Sequence, residues 1–313
     1  MDPIEQLLRR LNLRDLRIFL AVIDNGNLAQ AAASLGISRP VVSKSIANLE
    51  RTLGVRLLDR TPQRVVPTEF GRAFIKRGIS VFDELRQSVR ELKFLADPSQ
   101  GELRIGASEY MAAGLIPAVI NRLSQQNPGL SFRVELTDVM TRLRERQVEF
   151  VLMRLLSPQL DGDLAAEPLF HERVFVAAGP ANRYAGRRKI ALPDLASEPW
   201  ILAPPEIEEG SPIVEAFRAI KRPMPPTTVL GLSLPLRNGL LATGRFLTIV
   251  PGSIMKFGAE RSLLKALPIE LPDWPLPVAV VTVKNRTLTP LARLFIEQLR
   301  TVGALLAGEK FRS

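Results

Sequence analysis

Residues 29–50 read "AQAAASLGISRPVVSKSIANLE", and no other run constrains the chain as tightly. An alanine-rich helix stops at Gly36, where the backbone can turn without side-chain strain, and a second helix restarts at once. Ser38 is placed to cap that second helix, and Pro40 is tolerated in its first turn, where a missing N–H costs nothing. Ala32, Leu35, Ile37, Val42, Ile46 and Leu49 then make one small apolar core between the two helices. Such a pair is either an ordinary helical hairpin or a helix-turn-helix. In the second case the later helix enters the major groove of a duplex and its first side chains meet base edges.

The flanking residues favour the helix-turn-helix. Upstream, "LRDLRIFLAVIDN" (13–25) puts Leu13, Leu16, Phe19, Leu20 and Ile23 on one helical face; Gly26 ends that helix and Asn27 caps the next. Downstream, "VRLLDRTPQRVVP" (55–67) reads as two short extended arms around "TPQR", a hairpin or wing. The formal net charge is +10, and between Arg39 and Arg77 nine Lys or Arg stand against three Asp or Glu. A cationic patch this local points to phosphates. On the second helix the outward positions are Ser38, Arg39, Ser43, Lys44, Ala47 and Asn48. Arg39 has the fork to read guanine by two parallel hydrogen bonds, while Ser38, Ser43 and Lys44 suit phosphates or single base contacts. Arg64 in the wing would reach the neighbouring backbone or minor groove. Asn27, Gln30, Pro40 and Arg60 complete the candidate DNA-binding set.

From Thr68 a long helix is expected to about Leu95. Gly71, Ile75, Gly78, Phe82, Leu85, Val89 and Leu92 follow a coiled-coil spacing, which suggests a partner helix from a second copy. The alternative is a helix packed on its own domain. "ADPSQGE" (96–102) is a hinge of turn formers. Beyond it the spacing predicts strands at "LRIGA", 131–136 and 149–154 with helices at 109–126 and 138–147. Further strands are expected at 173–178, 199–202, 227–232, 246–250 and 278–283, and a last helix at 288–307. This alternation implies parallel sheet with crossover helices, as one α/β domain or two lobes.

Composition argues against several classes. With no cysteine and His171 as the only histidine, thiolate metal sites are excluded and histidine-based catalysis has little support. "RIGASEYMAAG" lacks phosphate-loop spacing, and "EIEEG" (206–210) is expected to be a solvated loop. No enzyme activity, metal or cofactor is therefore expected. "MDPIEQLLRR" has no basic start followed by an apolar run, and no stretch of eighteen apolar residues occurs. The expectation is a soluble, cytoplasmic protein that binds no membrane.

The run "LRDLRIFLAVIDNGNLAQAAASLGISRPVVSKSIANLERTLGVRLLDRTPQRVVPTEFG" resembles the N-terminal domain of LysR-type transcriptional regulators. It carries the double alanine, "S-x-P-x-x-S", "LE-x-x-LG-x-x-L" and "T-x-x-G" in order. "LIPAVINRLSQQNPGLSFRVEL", "LPDLASEPWIL" and "GLLATGRFLTIVPGS" resemble the effector-binding half. The departures are Arg39 where glutamine is common, Lys44 and Ser45 for arginine and glutamine, and Pro67 for leucine. The family's "G-x-x-D" before the 149–154 strand is replaced in a region holding Gln147 and Glu149. Residues 1–12 precede the usual family start and are expected to be a frayed extension.

The resemblance implies an all-α winged helix-turn-helix domain (13–68), a linker and dimerisation helix (69–95), the hinge, and an α/β effector domain of two lobes (103–308) built like a periplasmic binding protein. It implies double-stranded promoter DNA as partner, self-association into a dimer and then a tetramer, and contact with RNA polymerase. A small-molecule effector would bind between the lobes. Candidate contacts are Ser108 and Glu109 after the first strand, Thr137 after the second, Arg154 ending the third, and Pro204 and Pro205 from the other lobe. Ser108 reads equally as a plain helix cap, Arg154 as half of an internal salt bridge, and the prolines as a simple turn. "LRNGLLATGRFLTIVPGS" looks like the branch regulating protocatechuate catabolism and galactose-binding proteins, from which an acidic aromatic or sugar-derived effector would follow. Two other readings stay open: a constitutive DNA-binding protein whose second half only oligomerises, and a solute-binding or enzymatic α/β protein with a helical N-terminus.

Overall fold

A computed structural model describes residues 2–60, 65–155, 157, 159–259, 261–274 and 277–306. The chain forms two compact units, Met1–Ser88 and Val89–Ser313.

The first unit opens with α1 (Pro3–Leu8), whose N-terminus is capped by Asp2 through the Ile4 amide at 2.9 Å. The residues before the family domain are thus a short capped helix and not a frayed extension. Helices α2 (Leu13–Asn25), α3 (Leu28–Leu35) and α4 (Arg39–Leu53) follow. Gly36 sits at φ 65°, the left-handed value that closes the turn between α3 and α4. Ala32, Val42, Ile46 and Leu49 are buried between them, with Leu35 and Ile37 packed against that core. On α2 the buried residues are Leu16, Ile18, Phe19 and Val22, while Leu13 is exposed. A single-stripe reading fails there because α3 and α4 both pack on α2.

Strands β1 (Leu58–Arg60) and β2 (Val65–Pro67) pair antiparallel as the wing, with Arg60 opposite Val65. Residues 61–64, and with them Arg64, lie outside the described residues. Helix α5 (Glu69–Ala96) then runs 28 residues. Its coiled-coil seam divides. Phe74, Ile75 and Phe82 pack on the core of the first unit, the Phe19 and Phe74 rings lying 5.6 Å apart. A Cβ on Gly78 would stand 2.8 Å from Leu16 Cδ1, and one on Gly71 would collide with the Leu57 carbonyl. Up to Phe82, therefore, the helix covers its own domain and the expected partner seam does not apply. Beyond it Leu85, Val89 and Leu92 are exposed.

In the second unit β3 (Gln100–Ala107) already begins at Gln100, so the expected hinge contracts to the few residues after Ala96. The predicted helix 109–126 is broken at Gly114 into α6 (Glu109–Ala113) and α7 (Leu115–Gln126). β4 (Gly129–Glu135), α8 (Val139–Arg144), β5 (Phe150–Arg154) and β6 (Leu164–Phe170) complete the outgoing half of the first lobe. Helix α8 is shorter than predicted because Asp138 and Arg146 adopt left-handed φ of 51° and 59°. The chain crosses to the second lobe through residues 171–173. That lobe comprises β7 (Val174–Ala178), β8 (Trp200–Leu202), α9 (Pro212–Ala219), β9 (Thr227–Leu230), α10 (Leu234–Ala242), β10 (Leu247–Pro251), α11 (Gly252–Phe257) and β11 (Lys265–Ala266). It returns as β12 (Val278–Val283) and α12 (Pro290–Ala304).

Among the described residues the sheet orders are β4-β3-β5-β12-β6 and β11-β7-β10-β8-β9. These are two lobes, and each sheet is mixed where an all-parallel one was expected. β12 runs antiparallel to β5 and β6, and β10 antiparallel to β7. The parallel rule holds where a helix carries the chain back, as between β3 and β4. It fails at β6 and β12, which are reached without such a helix. The first lobe's core joins Leu103, Ile105, Phe150 and Val280 to Val119 of α7 and Phe295 of α12; the second centres on Trp200, Phe217 and Ile249.

Glu149, in the region where the family motif departs, is 1 % exposed. Its Oε2 accepts the Thr289 hydroxyl at 2.7 Å, and its Oε1 lies 3.8 Å from Arg90 Nη1 at the end of α5. Burial pushes its carboxyl above the usual range, against the pull of Thr289 and Arg90.

Gly71→Ala is expected to destabilise the first unit by about 1–3 kcal/mol, because the added methyl meets backbone that cannot swing away. Urea unfolding followed by circular dichroism checks this; an unchanged midpoint contradicts the close packing of α5 on the wing.

Candidate nucleic-acid interface and effector cleft

Helix α4 buries Val42, Ser45, Ile46 and Leu49 and turns the opposite side outward. Ser38, Arg39, Pro40, Lys44 and Ala47 are exposed, and Ser43 and Asn48 are half-buried beside them. Ser38 occupies the N-cap position in extended backbone, but its hydroxyl makes no capping bond, which corrects the capping role expected for it. Asn27 does cap, its Oδ1 accepting the Gln30 amide at 2.8 Å. Its carboxamide therefore orients α3, while the Gln30 side chain stays in solvent. Asn48 Oδ1 accepts from Arg51 at 2.9 Å, which tethers it along the helix. Arg60 ends β1 at the wing.

Three contacts hold this surface that residue types alone did not single out. Glu50 Oε1 accepts the amides of Leu57 and Leu58 at 2.8 and 3.1 Å, bolting the end of α4 to the wing. Buried Ser45 donates to Asp15 of α2. Thr68 Oγ1 donates to the Arg56 carbonyl at 2.8 Å and accepts the Gly71 amide at 3.0 Å, joining wing to α5. The motif letters "LE" and "T-x-x-G" are thus explained by geometry.

In the second unit a cavity of ≈ 240 Å³ lies between the lobes. Ser108, Tyr110, Met111, Met153 and Arg154 line it from the first lobe; Val174, Ala203, Pro205, Glu206, Leu232 and Pro251 line it from the second, with Trp274 from the returning crossing. Of the expected contacts, Ser108, Arg154 and Pro205 come together here, and Ser108 makes no cap bond to α6. Glu109, Thr137 and Pro204 do not line this cavity. Glu109 instead accepts the Leu234 amide at 2.8 Å and so caps α10 across the lobe boundary. Thr137 and Pro204 are exposed.

Arg154 is the internal salt bridge that the sequence left as an alternative. Its Nη2 lies 3.2 Å from Glu172 Oε2, and its guanidinium sits 5.0 Å from the Trp274 ring centroid. Glu172 Oε1 accepts the Ser253 amide at 2.7 Å. Burial pushes the Glu172 carboxyl up, and the Arg154 charge pulls it back; burial likewise lowers Arg154. A second buried pair joins Arg237 Nη2 to Glu206 Oε2 at 3.1 Å. Tyr110 donates to Glu206 Oε1 at 2.6 Å from the opposite lobe. Desolvation, and then the charge of Glu206, hold the Tyr110 phenol well above its ordinary pKa, so it stays a neutral donor. Glu206 is 3 % exposed, which overturns the solvated-loop reading of "EIEEG" at its first residue. The loop is drawn inward because Arg237 is buried and needs a partner. His171 is exposed, and no group of three or more metal-ligating side chains occurs among the described residues.

Comparison with known proteins agrees with this architecture. Residues 13–72 match the family model "Bacterial regulatory helix-turn-helix protein, lysR family", and residues 96–304 match "LysR substrate binding domain". The chain is 27% identical over 296 residues to the transcriptional dual regulator GltC of Bacillus subtilis strain 168, covering 92% of this chain and 96% of that protein. It is 28% identical over 296 residues to the HTH-type transcriptional regulator GbpR of Azospirillum brasilense, covering 93% and 86%. Among solved structures, full-length OxyR from Pseudomonas aeruginosa matches with TM-score 0.63 at 20% identity, over 97% of this chain and 99% of that one. Full-length CbnR in complex with its target DNA matches with TM-score 0.62 at 20% identity, over 93% and 99%. No helix among the described residues is long and apolar enough to cross a membrane. With both of its domains matched in order, the chain belongs to the LysR family of DNA-binding transcriptional regulators.

Proposed function

We propose that this regulator reads promoter DNA through the first two turns of α4 and changes that reading when a small molecule occupies the cavity between its lobes. The observation that carries the DNA-reading part is the outward side of α4. Arg39 and Lys44 stand exposed on a helix whose other side is locked into a core. In this reading Arg39 would read guanine, Ser38, Ser43 and Lys44 would hold phosphates or single bases, and the wing would touch the adjoining backbone. The chain acts as a regulator and not as an enzyme, in the cytoplasm, with no resident cofactor. RNA polymerase is the further partner through which the DNA complex acts.

The exposed far half of α5 supports self-association. Leu85, Val89 and Leu92 repeat at coiled-coil spacing and are 42%, 53% and 67% exposed. Pairing of these stripes would bring together two copies, whose α4 helices would serve the two half-sites of a pseudo-palindrome, and a second pairing through the effector domains would give a tetramer. Closure of the lobes on the effector would shift the balance between two assembly shapes.

Duplexes selected from a random pool by the full chain supply the target for three measurements. Arg39→Ala is expected to cost about 1–3 kcal/mol on the selected site and to relax preference at one base position; retained preference removes Arg39 as the reading group. Lys44→Ala should weaken all duplexes alike and lower the log–log salt slope by about one; an unchanged slope takes it off the phosphates. The double variant Leu85→Glu, Val89→Glu is expected to sediment as a smaller species and lose tight binding to paired half-sites. Sedimentation identical to wild type would place the interface elsewhere.

A further inference from the structure

We infer that the effector of this chain is a compact uncharged molecule with an apolar, ring-sized body and one polar group, rather than an acid. This rests on the reading of the cavity as the effector site and adds its chemical class.

One guanidinium, Arg154, lines the cavity, and a second, Arg237, lies behind its Tyr110 and Glu206 wall, 5.2 Å from the Tyr110 ring centroid; each has its own buried carboxylate. Arg154 is held by Glu172, and Arg237 by Glu206. Neither leaves an unbalanced positive charge to meet an incoming anion. Bringing a carboxylate out of water into such a site costs several kcal/mol unless a cation is there to match it. The same balance disfavours a cation, since Glu172 and Glu206 are already paired.

The remaining walls fit an uncharged guest. Met111, Met153, Val174, Leu232, Pro251 and Trp274 are apolar, and the methionine side chains adapt to a ring edge. Arg154 lies against Trp274 on one flank, so its guanidinium is occupied by an aromatic face as well as by Glu172. The polar positions are few. Ser108 opens on the cavity without a cap bond, and the Tyr110 hydroxyl is turned toward Glu206. One hydroxyl, amide or carbonyl on the guest would satisfy Ser108 and leave both ion pairs intact. A volume of ≈ 240 Å³ is small against the roughly 300–1,000 Å³ common for ligand pockets, which limits the guest to about one substituted ring.

Three near-isosteric probes separate the classes: benzamide is neutral, benzoate anionic and benzamidine cationic. Each is titrated into the full chain, with tryptophan fluorescence and thermal shift as readouts. Met153→Trp crowds the cavity with a larger ring and, read by thermal shift, identifies binding that occurs there. The expected result is benzamide bound at least about tenfold more tightly than either charged probe, with the preference abolished by Met153→Trp. Glu172→Gln removes the carboxylate charge that lies 3.2 Å from Arg154 and is expected to raise benzoate affinity about tenfold or more relative to benzamide. Because the wild-type comparison is complete by itself, poor folding of that variant does not remove the test. Benzoate or benzamidine bound as tightly as benzamide, and lost in Met153→Trp, would overturn the uncharged class while leaving the cavity as the effector site. Binding of none of the three that responds to Met153→Trp would overturn the effector reading of the cavity, and the inference with it.

Discussion

A side chain can read a base only if its backbone is held to within a fraction of a hydrogen-bond length, and the proposed function puts that constraint on α4. The helix meets it by burying one side completely. Val42, Ile46 and Leu49 are at most 2% exposed, so any tilt of α4 would open the core of the first unit. Polar anchors add direction. Ser45 reaches Asp15, and Glu50 takes two wing amides. Thr68 then links the wing to α5 through the Arg56 carbonyl. Within the first unit, α4, the wing and the first half of α5 are thereby tied to one another by named hydrogen bonds and a shared core.

The second unit solves a different problem. Its lobes must meet closely enough to enclose a guest, yet two crossings alone join them covalently. Buried charge supplies the register. Glu206 accepts from Arg237 in its own lobe and from Tyr110 in the other, and Glu109 caps α10 from across the boundary. Such pairs add little net stability over apolar packing, but removing one partner strands the other at a cost of about 3–5 kcal/mol. They therefore define one closed arrangement and penalise near misses. Ser253, packed where a Cβ on Gly114 would come within 2.9 Å, shows how near the lobes approach.

Periodicity and turn chemistry made much of the fold legible. Gly36, Asn27 and the apolar spacing of α3 and α4 located the helix-turn-helix, and each strand of the second unit that was predicted appears within a few residues. What escaped was whatever depends on distant partners. β6 (LAAEPLF) carries a proline and shows no apolar–polar alternation, and β11 is only two residues long. The sense of β12 is set by where the chain returns, not by its composition. On α5 the seam spacing was real, but Gly71 and Gly78 were small because their own domain sits against them, and spacing alone does not name the partner. In the cleft, Ser108, Arg154 and Pro205 stood at strand ends and could be anticipated. Glu172, Glu206, Arg237 and Trp274 could not, since a charge in a loop or helix looks solvated until its buried partner is known. Glu206 illustrates this: its neighbours Glu208 and Glu209 are exposed, as the acidic run suggested, and only the first carboxylate turns inward.

The most direct measurement of α4's placement is a hydroxyl-radical and methylation-interference footprint of the full chain on a selected duplex. The expected pattern is guanine N7 interference in two major-groove segments on one face of the duplex, separated by about one helical turn or a multiple of it. Sugar protection should lie beside each segment, where the wing falls. Tight binding with no interference at any base, by a chain whose circular dichroism shows it folded, would contradict the insertion of α4 into the groove.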